Sequence, residues 1–189
     1  VTSRPGLAWT NILQRNIEYL ASFGIREVIV NVHHFADQII DLVKKNKGFG
    51  SDISFSDETI EVLETGGGIK KVEWFFKEDK EPFVVINVDI LTDMNLKEMI
   101  QQHKKNNPLA TLAVTTRHTS RYFLFDELDH LCGWKNEKTG ERRISREAGK
   151  YILKAFSGIH IISPKIFPLI KRKGKFSLVD VYLELSETN

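Results

Sequence analysis

"REVIVNVHHFADQIIDLVKKNKGFGSDISFSD", residues 26–57, decides the fold. REVIVNV (26–32) is a short β-branched run, which reads as a buried strand. ADQIIDLVKKNKGFG (36–50) is an amphipathic helix whose basic last turns suit the negative end of its dipole. DISFSD (52–57) is a second strand. The same alternation appears on both sides. NILQRNIEYLASFG (11–24) places Ile12, Leu13, Ile17, Leu20 and Phe23 on one helical stripe, with Gly24 as its stop. EPFVVINVDIL (81–91) is an apolar strand, LKEMIQQHKKNN (96–107) a helix closed by Pro108, and LATLAVTT (109–116) a further strand. Repeated strand–helix–strand units imply right-handed crossovers and an α/β architecture with a mostly parallel sheet under helices. VIVNV and FVVINV read as strands buried on both faces. After Thr116 the pattern changes. YFLFDE and LCGWKN form a hairpin, ILKAFSGIHII (152–162) another strand, SPKIFPLI a short helix and SLVDVYLELSE a last helix.

The 189 residues suit one domain, 1–189, with no repeat, low-complexity tract or evident linker. A hydrophobic share of 41% and a charged share of 28% describe an ordinary globular mix. A formal net charge of +2 argues against nucleic acid or an anionic membrane as partner. The single cysteine, Cys132, excludes an internal disulfide and points to a reducing, cytoplasmic setting. No apolar run approaches the ~20 residues that span a bilayer, and VTSRPGLAWT has no apolar core of a signal peptide.

Four stretches could carry chemistry. In LETGGGIKK (63–71), three glycines at an expected strand-to-helix junction would bare backbone N–H groups at a helix start, where a phosphate or a flat ring can approach; a tight helix entry with no ligand explains them equally well. In VVINVDIL, Asp89 follows a buried strand and so reaches the carboxyl edge of the sheet, where open α/β sheets place ligands and where Mg²⁺ would find a carboxylate. The bland alternative is a capping aspartate, a role Asp93 fills better. In VNVHHF, Asn31, His33 and His34 reach the same edge, but adjacent residues of a strand face opposite ways and cannot easily share one ion. In FSGIHII, Gly158 marks close approach of a ligand or of another backbone, and His160 reads first as a hydrogen-bonded structural residue. KRKGK (171–175) reads as a solvated loop, and Trp74, Phe75 and Phe76 as core.

The order NIEYLASFGIREVIVNVHHFADQI, LETGGGIKK, FVVINVDIL, FSGIHIISPKIF resembles the sugar-phosphate nucleotidylyltransferases, in the branch of the mannose-1-phosphate guanylyltransferases and N-acetylmuramate-1-phosphate uridylyltransferases. The resemblance covers residues 11–185. It implies a three-layer, Rossmann-like (GT-A-like) domain with a small β-hairpin region. It also implies transfer of a nucleotidyl group from a nucleoside triphosphate to a sugar 1-phosphate, with Mg²⁺ on Asp89. Glu64, Thr65, Gly66 and Gly67 should then line the nucleoside, and Asn31, Gly158 and His160 the sugar phosphate. Two departures stand out. The family's G-x-G-T-R-x-x-P loop, with its catalytic Arg, is not found in VTSRPGLAWTN, so the catalytic residues are unassigned. The second metal aspartate of a W-x-D-x-G-T segment is also not found before Asn189. The expectation is a domain lacking its N-terminal loop and C-terminal segment, able to self-associate through an unpaired sheet edge. Rival readings are a phosphocholine-type cytidylyltransferase and a non-catalytic nucleotide-sugar-binding regulatory subunit.

Overall fold

The computed structural model describes residues 5–76 and 81–188, with side chains from residue 12 onward. The helices are α1 (Pro5–Ser22), α2 (Ala36–Lys45), α3 (Glu64–Lys71), α4 (Leu96–Asn106) and α5 (Leu178–Ser186). The strands are β1 (Glu27–Val32), β2 (Asp52–Asp57), β3 (Phe83–Ile86), β4 (Ala110–Thr115), β5 (Arg121–Phe125), β6 (Leu131–Asn136), β7 (Arg142–Ile144) and β8 (Ile152–Ile162).

Local chemistry explains the boundaries. α1 ends as its sequence predicts. Ile25 N–H donates to the Leu20 carbonyl and Gly24 N–H to that of Ala21, the paired closure that needs a left-handed residue, and Gly24 sits at φ +84°. α2 is shorter than its amphipathic run. It stops at Lys45, and Lys47–Gly50 form a separate 3₁₀ turn in which Gly48 and Phe49 both take positive φ. α4 starts on Asn95, whose side chain accepts from Lys97 N–H, and α5 on Ser177, whose hydroxyl accepts from Val179 N–H.

The α/β class holds, but the strand pairing is less parallel than the alternating pattern suggests. β1 and β2 pair in parallel, Glu27 opposite Asp52 through Val32 opposite Asp57. The other six strands form a second sheet in order β3-β8-β5-β6-β7, with β4 also on β8, and every pair in it is antiparallel. β3 and β4 both meet the last residues of β8, so they run parallel to each other with β8 between them. The 11-residue β8 reverses the expected pairing by inserting where two parallel strands would have been neighbours. Among the described strands, β1 pairs only with β2 and β3 only with β8, leaving one free edge on each. β1 is accordingly not buried throughout: Val32 is buried while Asn31 is exposed.

Alternation across β3 builds two apolar layers. Val84 and Ile86 pack with Leu20, Leu96, Ala113 and Ile159 beneath α1 and α4. Phe83 and Val85 face the other way, against Ile162, Ile166, Phe167, Phe176, Leu178 and Val181, beneath α5 and the 3₁₀ turn Pro164–Leu169. Helices therefore cover both faces of the sheet. Phe76 stacks on Phe83 at 3.9 Å, so it is core as expected, but Trp74 is 60% exposed and is not. Among the described residues, no helix is long and apolar enough to cross a membrane.

Candidate functional site

Three features meet the ends of β1, β2 and β3. The first is the turn after β3. Asn87 N–H donates to the Gly158 carbonyl at 2.9 Å, and Ile90 N–H to that of Asn87 at 3.1 Å. From the other side Asn16, buried on α1, donates its amide to the Val88 carbonyl at 2.9 Å. Asp89 is thereby held at the tip of a turn braced by β8 and α1. It is exposed and has no hydrogen-bond or ion-pair partner among the described residues. Gly158 serves this turn through its backbone: its φ is +80°, and a Cβ there would lie 2.9 Å from Ile90 Cδ1. Beside the turn opens a concavity of about 370 Å³ lined by Arg15, Asn16, Tyr19, Leu91, Thr92 and Asp93. Burial, with the negative charge of Asp93, pushes the Tyr19 hydroxyl above its ordinary pKa.

The second feature is the triple glycine. It lies inside α3 rather than ahead of it, and all three residues are buried. Gly66 and Gly67 donate their N–H groups to one acceptor, the Phe176 carbonyl, at 2.9 and 3.1 Å, and Phe176 N–H returns a bond to Leu63 O. A Cβ on Gly66 would lie 2.8 Å from that carbonyl, and one on Gly67 2.9 Å from Leu63 Cβ. The glycines therefore let α3 pack backbone to backbone on the segment leading into α5. Thr65 adds to this seam by accepting Leu178 N–H at 3.0 Å. Glu64, at φ +59°, lies 3.8 Å from Lys175. The basic run is tied down in the same way: Arg172 pairs with Glu184, and Lys171 donates to the Pro168 carbonyl.

The third feature was invisible in the sequence. Glu58 is 3% exposed and lies just past β2. One carboxylate oxygen accepts from Asn31 Nδ2 and the other from Leu63 N–H, both at 2.9 Å. Its N–H donates to the Val32 carbonyl, and its own carbonyl accepts from His33 Nδ1 at 2.7 Å. A Cβ on Gly68 would stand 3.0 Å from this carboxylate and 3.1 Å from Asn31 Nδ2. Asn31 thus sits against the glycine helix.

His160 is the hydrogen-bonded structural residue that its first reading gave. It is buried in the layer under α5, with Nδ1 2.9 Å from the Tyr182 hydroxyl and its ring 4.4 Å from that of Phe156. Burial pulls its pKa down to about 3 and pushes that of Tyr182 far above the ordinary phenol value. It is a neutral core residue. The rings of His33 and His34 lie 4.3 Å apart, tilted by 50°, and no group of three metal-ligating side chains occurs among the described residues. Asp89, and Asp93 four residues on in the adjoining concavity, are both exposed carboxylates with no hydrogen-bond or ion-pair partner among the described residues, so each could offer Mg²⁺ a hard oxygen. That fits an ion which commonly takes one or two protein carboxylates and completes its shell with water and phosphate.

An exposed aspartate thus stands beyond β3 of one sheet, and the buried-glycine helix α3 lies against the ends of β1 and β2 of the other. The chain belongs to the nucleotidyl transferase family, which it matches over residues 7–124. It is similar to the mannose-1-phosphate guanyltransferase of Yarrowia lipolytica, at 30% identity over 84% of this chain and 42% of that protein. It also resembles the mannose-1-phosphate guanylyltransferase catalytic subunit beta of Drosophila melanogaster, at 28% identity over 98% of this chain and 49% of that one. The chain spans less than half the length of these relatives. Among solved structures it superposes on HddC from Yersinia pseudotuberculosis with a TM-score of 0.67 and 25% identity, over 88% of this chain and 68% of that one. The inositol-1-phosphate CTP transferase of T. maritima shares the fold, with a TM-score of 0.64 at 13% identity over 94% and 69% of the two chains.

Proposed function

We propose that this protein is a Mg²⁺-dependent sugar-1-phosphate nucleotidylyltransferase. A phosphate oxygen of the sugar 1-phosphate attacks the α-phosphorus of a nucleoside triphosphate. The bond from that phosphorus to the bridging oxygen breaks, and pyrophosphate leaves with the electron pair. Positioning and charge neutralisation carry such a reaction. Asp89 would hold Mg²⁺, which supplies neutralising charge to the triphosphate. The seam of Glu64, Thr65, Gly66 and Gly67 on Phe176 would give the nucleoside a rigid wall, and the Gly158-braced turn keeps Asp89 in place. The observation that carries the reading is Asp89 itself, an exposed and unpartnered carboxylate at a strand end of a nucleotidyl transferase family member. The mannose-1-phosphate guanyltransferase relatives, and a neighbour solved with GMP-PN, favour a guanine nucleotide. A cytoplasmic setting belongs to the same proposal, supported by the single buried cysteine.

The test is a product screen on the full-length protein, each nucleoside triphosphate against a panel of sugar 1-phosphates, reading pyrophosphate release with Mg²⁺ and with EDTA. GTP with a hexose 1-phosphate should head the panel, and EDTA should abolish turnover. No turnover with any pair overturns the proposal.

A further inference from the structure

The amide of Asn31 is oriented by its neighbours, and the orientation has a chemical consequence. A carboxylate only accepts hydrogen bonds, so the Asn31 edge that faces Glu58 must be its NH₂. Nδ2 is committed to Glu58 at 2.9 Å and lies on the Gly68 side. Oδ1 has no partner among the described residues, on a residue that is exposed. Glu58 itself is buried, and its second oxygen is occupied by Leu63 N–H, the residue that opens α3. Asn31 therefore shows a fixed acceptor at the lip of the glycine helix. An acceptor repels phosphate oxygens and takes an N–H or O–H donor; beside the helix proposed to wall the nucleoside, the nucleobase is the group that offers an N–H.

We infer that Asn31 Oδ1 accepts a hydrogen bond from an N–H of the nucleobase, and that Glu58 is the positioning residue that sets its polarity. The inference rests on the proposed function and adds base recognition to it. In Glu58→Gln only one acceptor oxygen remains. Leu63 N–H, fixed at the start of α3, claims it. The new NH₂ then faces Asn31, whose amide must turn its Oδ1 inward and its NH₂ outward. The surface acceptor becomes a donor while the packing is conserved.

The experiment compares full-length wild type, Glu58→Gln, Asn31→Ala and the double variant, measuring KM for the triphosphate and for the sugar 1-phosphate separately. Glu58→Gln should raise KM for the triphosphate about tenfold, the scale of one hydrogen bond, and leave KM for the sugar 1-phosphate unchanged. Asn31→Ala should do the same, and the double variant should add nothing, because Glu58 acts through Asn31. Calorimetric titration with the triphosphate should show the same tenfold loss without needing turnover. An unchanged triphosphate KM, a parallel rise in both KM values, or additive effects would overturn the inference while the proposed function stood. A wild type that turns over no substrate pair but loses triphosphate affinity in both variants would retain the inference and remove the proposed function. Should Glu58→Gln fail to fold, Asn31→Ala still decides, since Asn31 is exposed and Glu58 keeps its bond to Leu63.

Discussion

Two residues a short way apart in the fold behave in opposite ways. Asp89 is exposed and unpartnered, so Asp89→Asn removes charge and no structural contact. Turnover of the full-length protein should fall by orders of magnitude while the melting temperature stays near wild type; an active Asp89→Asn enzyme would falsify the metal assignment. His160 is a stability residue. Its folded pKa, about 3, lies below the ordinary imidazole value of 6.5. Between those pH values the unfolded chain binds a proton that the folded one refuses, so stability falls as the pH drops through this window. The slope approaches about 1.4 kcal/mol per pH unit. His103, its pKa also lowered by burial, adds in the same direction. Replacing His160 and Tyr182 together by Phe removes both the titration and the orphaned partner. Melting curves from pH 7 to pH 4 should then be flatter than for wild type.

At the scale of elements, α3 is the joint of the molecule. It is held by the Phe176 carbonyl on one side and by Glu58 on the other, and each side tolerates a methyl differently. Gly66→Ala would push against backbone as well as the Phe176 ring. It should cost about 1–3 kcal/mol and speed hydrogen exchange at Leu178, whose N–H is bound to Thr65. Gly68→Ala meets only the Glu58 and Asn31 side chains, at 3.0 and 3.1 Å, a gap closed by a few tenths of an ångström. It should melt closer to wild type yet weaken triphosphate binding more than sugar-phosphate binding. Equal melting temperatures for the two variants would show that the Phe176 seam is not what the glycines serve.

At the scale of the whole molecule, two apolar layers meet across the second sheet, and Cys132 on β6 reports on it. Its thiol is fully buried, and burial raises its pKa. Both effects suppress the reactive thiolate. Labelling by a thiol reagent should be negligible in the folded protein and should rise with denaturant along the same curve as tryptophan fluorescence. Fast labelling in native buffer would mean that β5–β6–β7 opens independently of the rest.

Local chemistry settled most of the elements before any tertiary contact was known. Gly24 had to end α1 because a left-handed position favours glycine, Pro108 had to follow a finished helix, and β-branched runs had to be strands. The position of Asp89 was legible for the same reason, since a polar residue right after an apolar strand must emerge at the sheet's edge. The order of those strands was not. A strand's sequence carries its faces but not its neighbours, and only the long β8 could turn an apparently parallel sheet antiparallel by entering between β3 and β4. The glycines of α3 looked like an open anion cradle because nothing in LETGGGIKK reveals that the Phe176 carbonyl, more than a hundred residues away, takes their N–H groups. Glu58 lay in DETIEV as one acidic loop residue among several, and it is enclosed between the end of β1 and the start of α3, which meet only in the folded chain. The partners of His160 and Asn31 were hidden for the same reason: which side chain meets which is set by how layers stack, and that information is distributed over the whole chain.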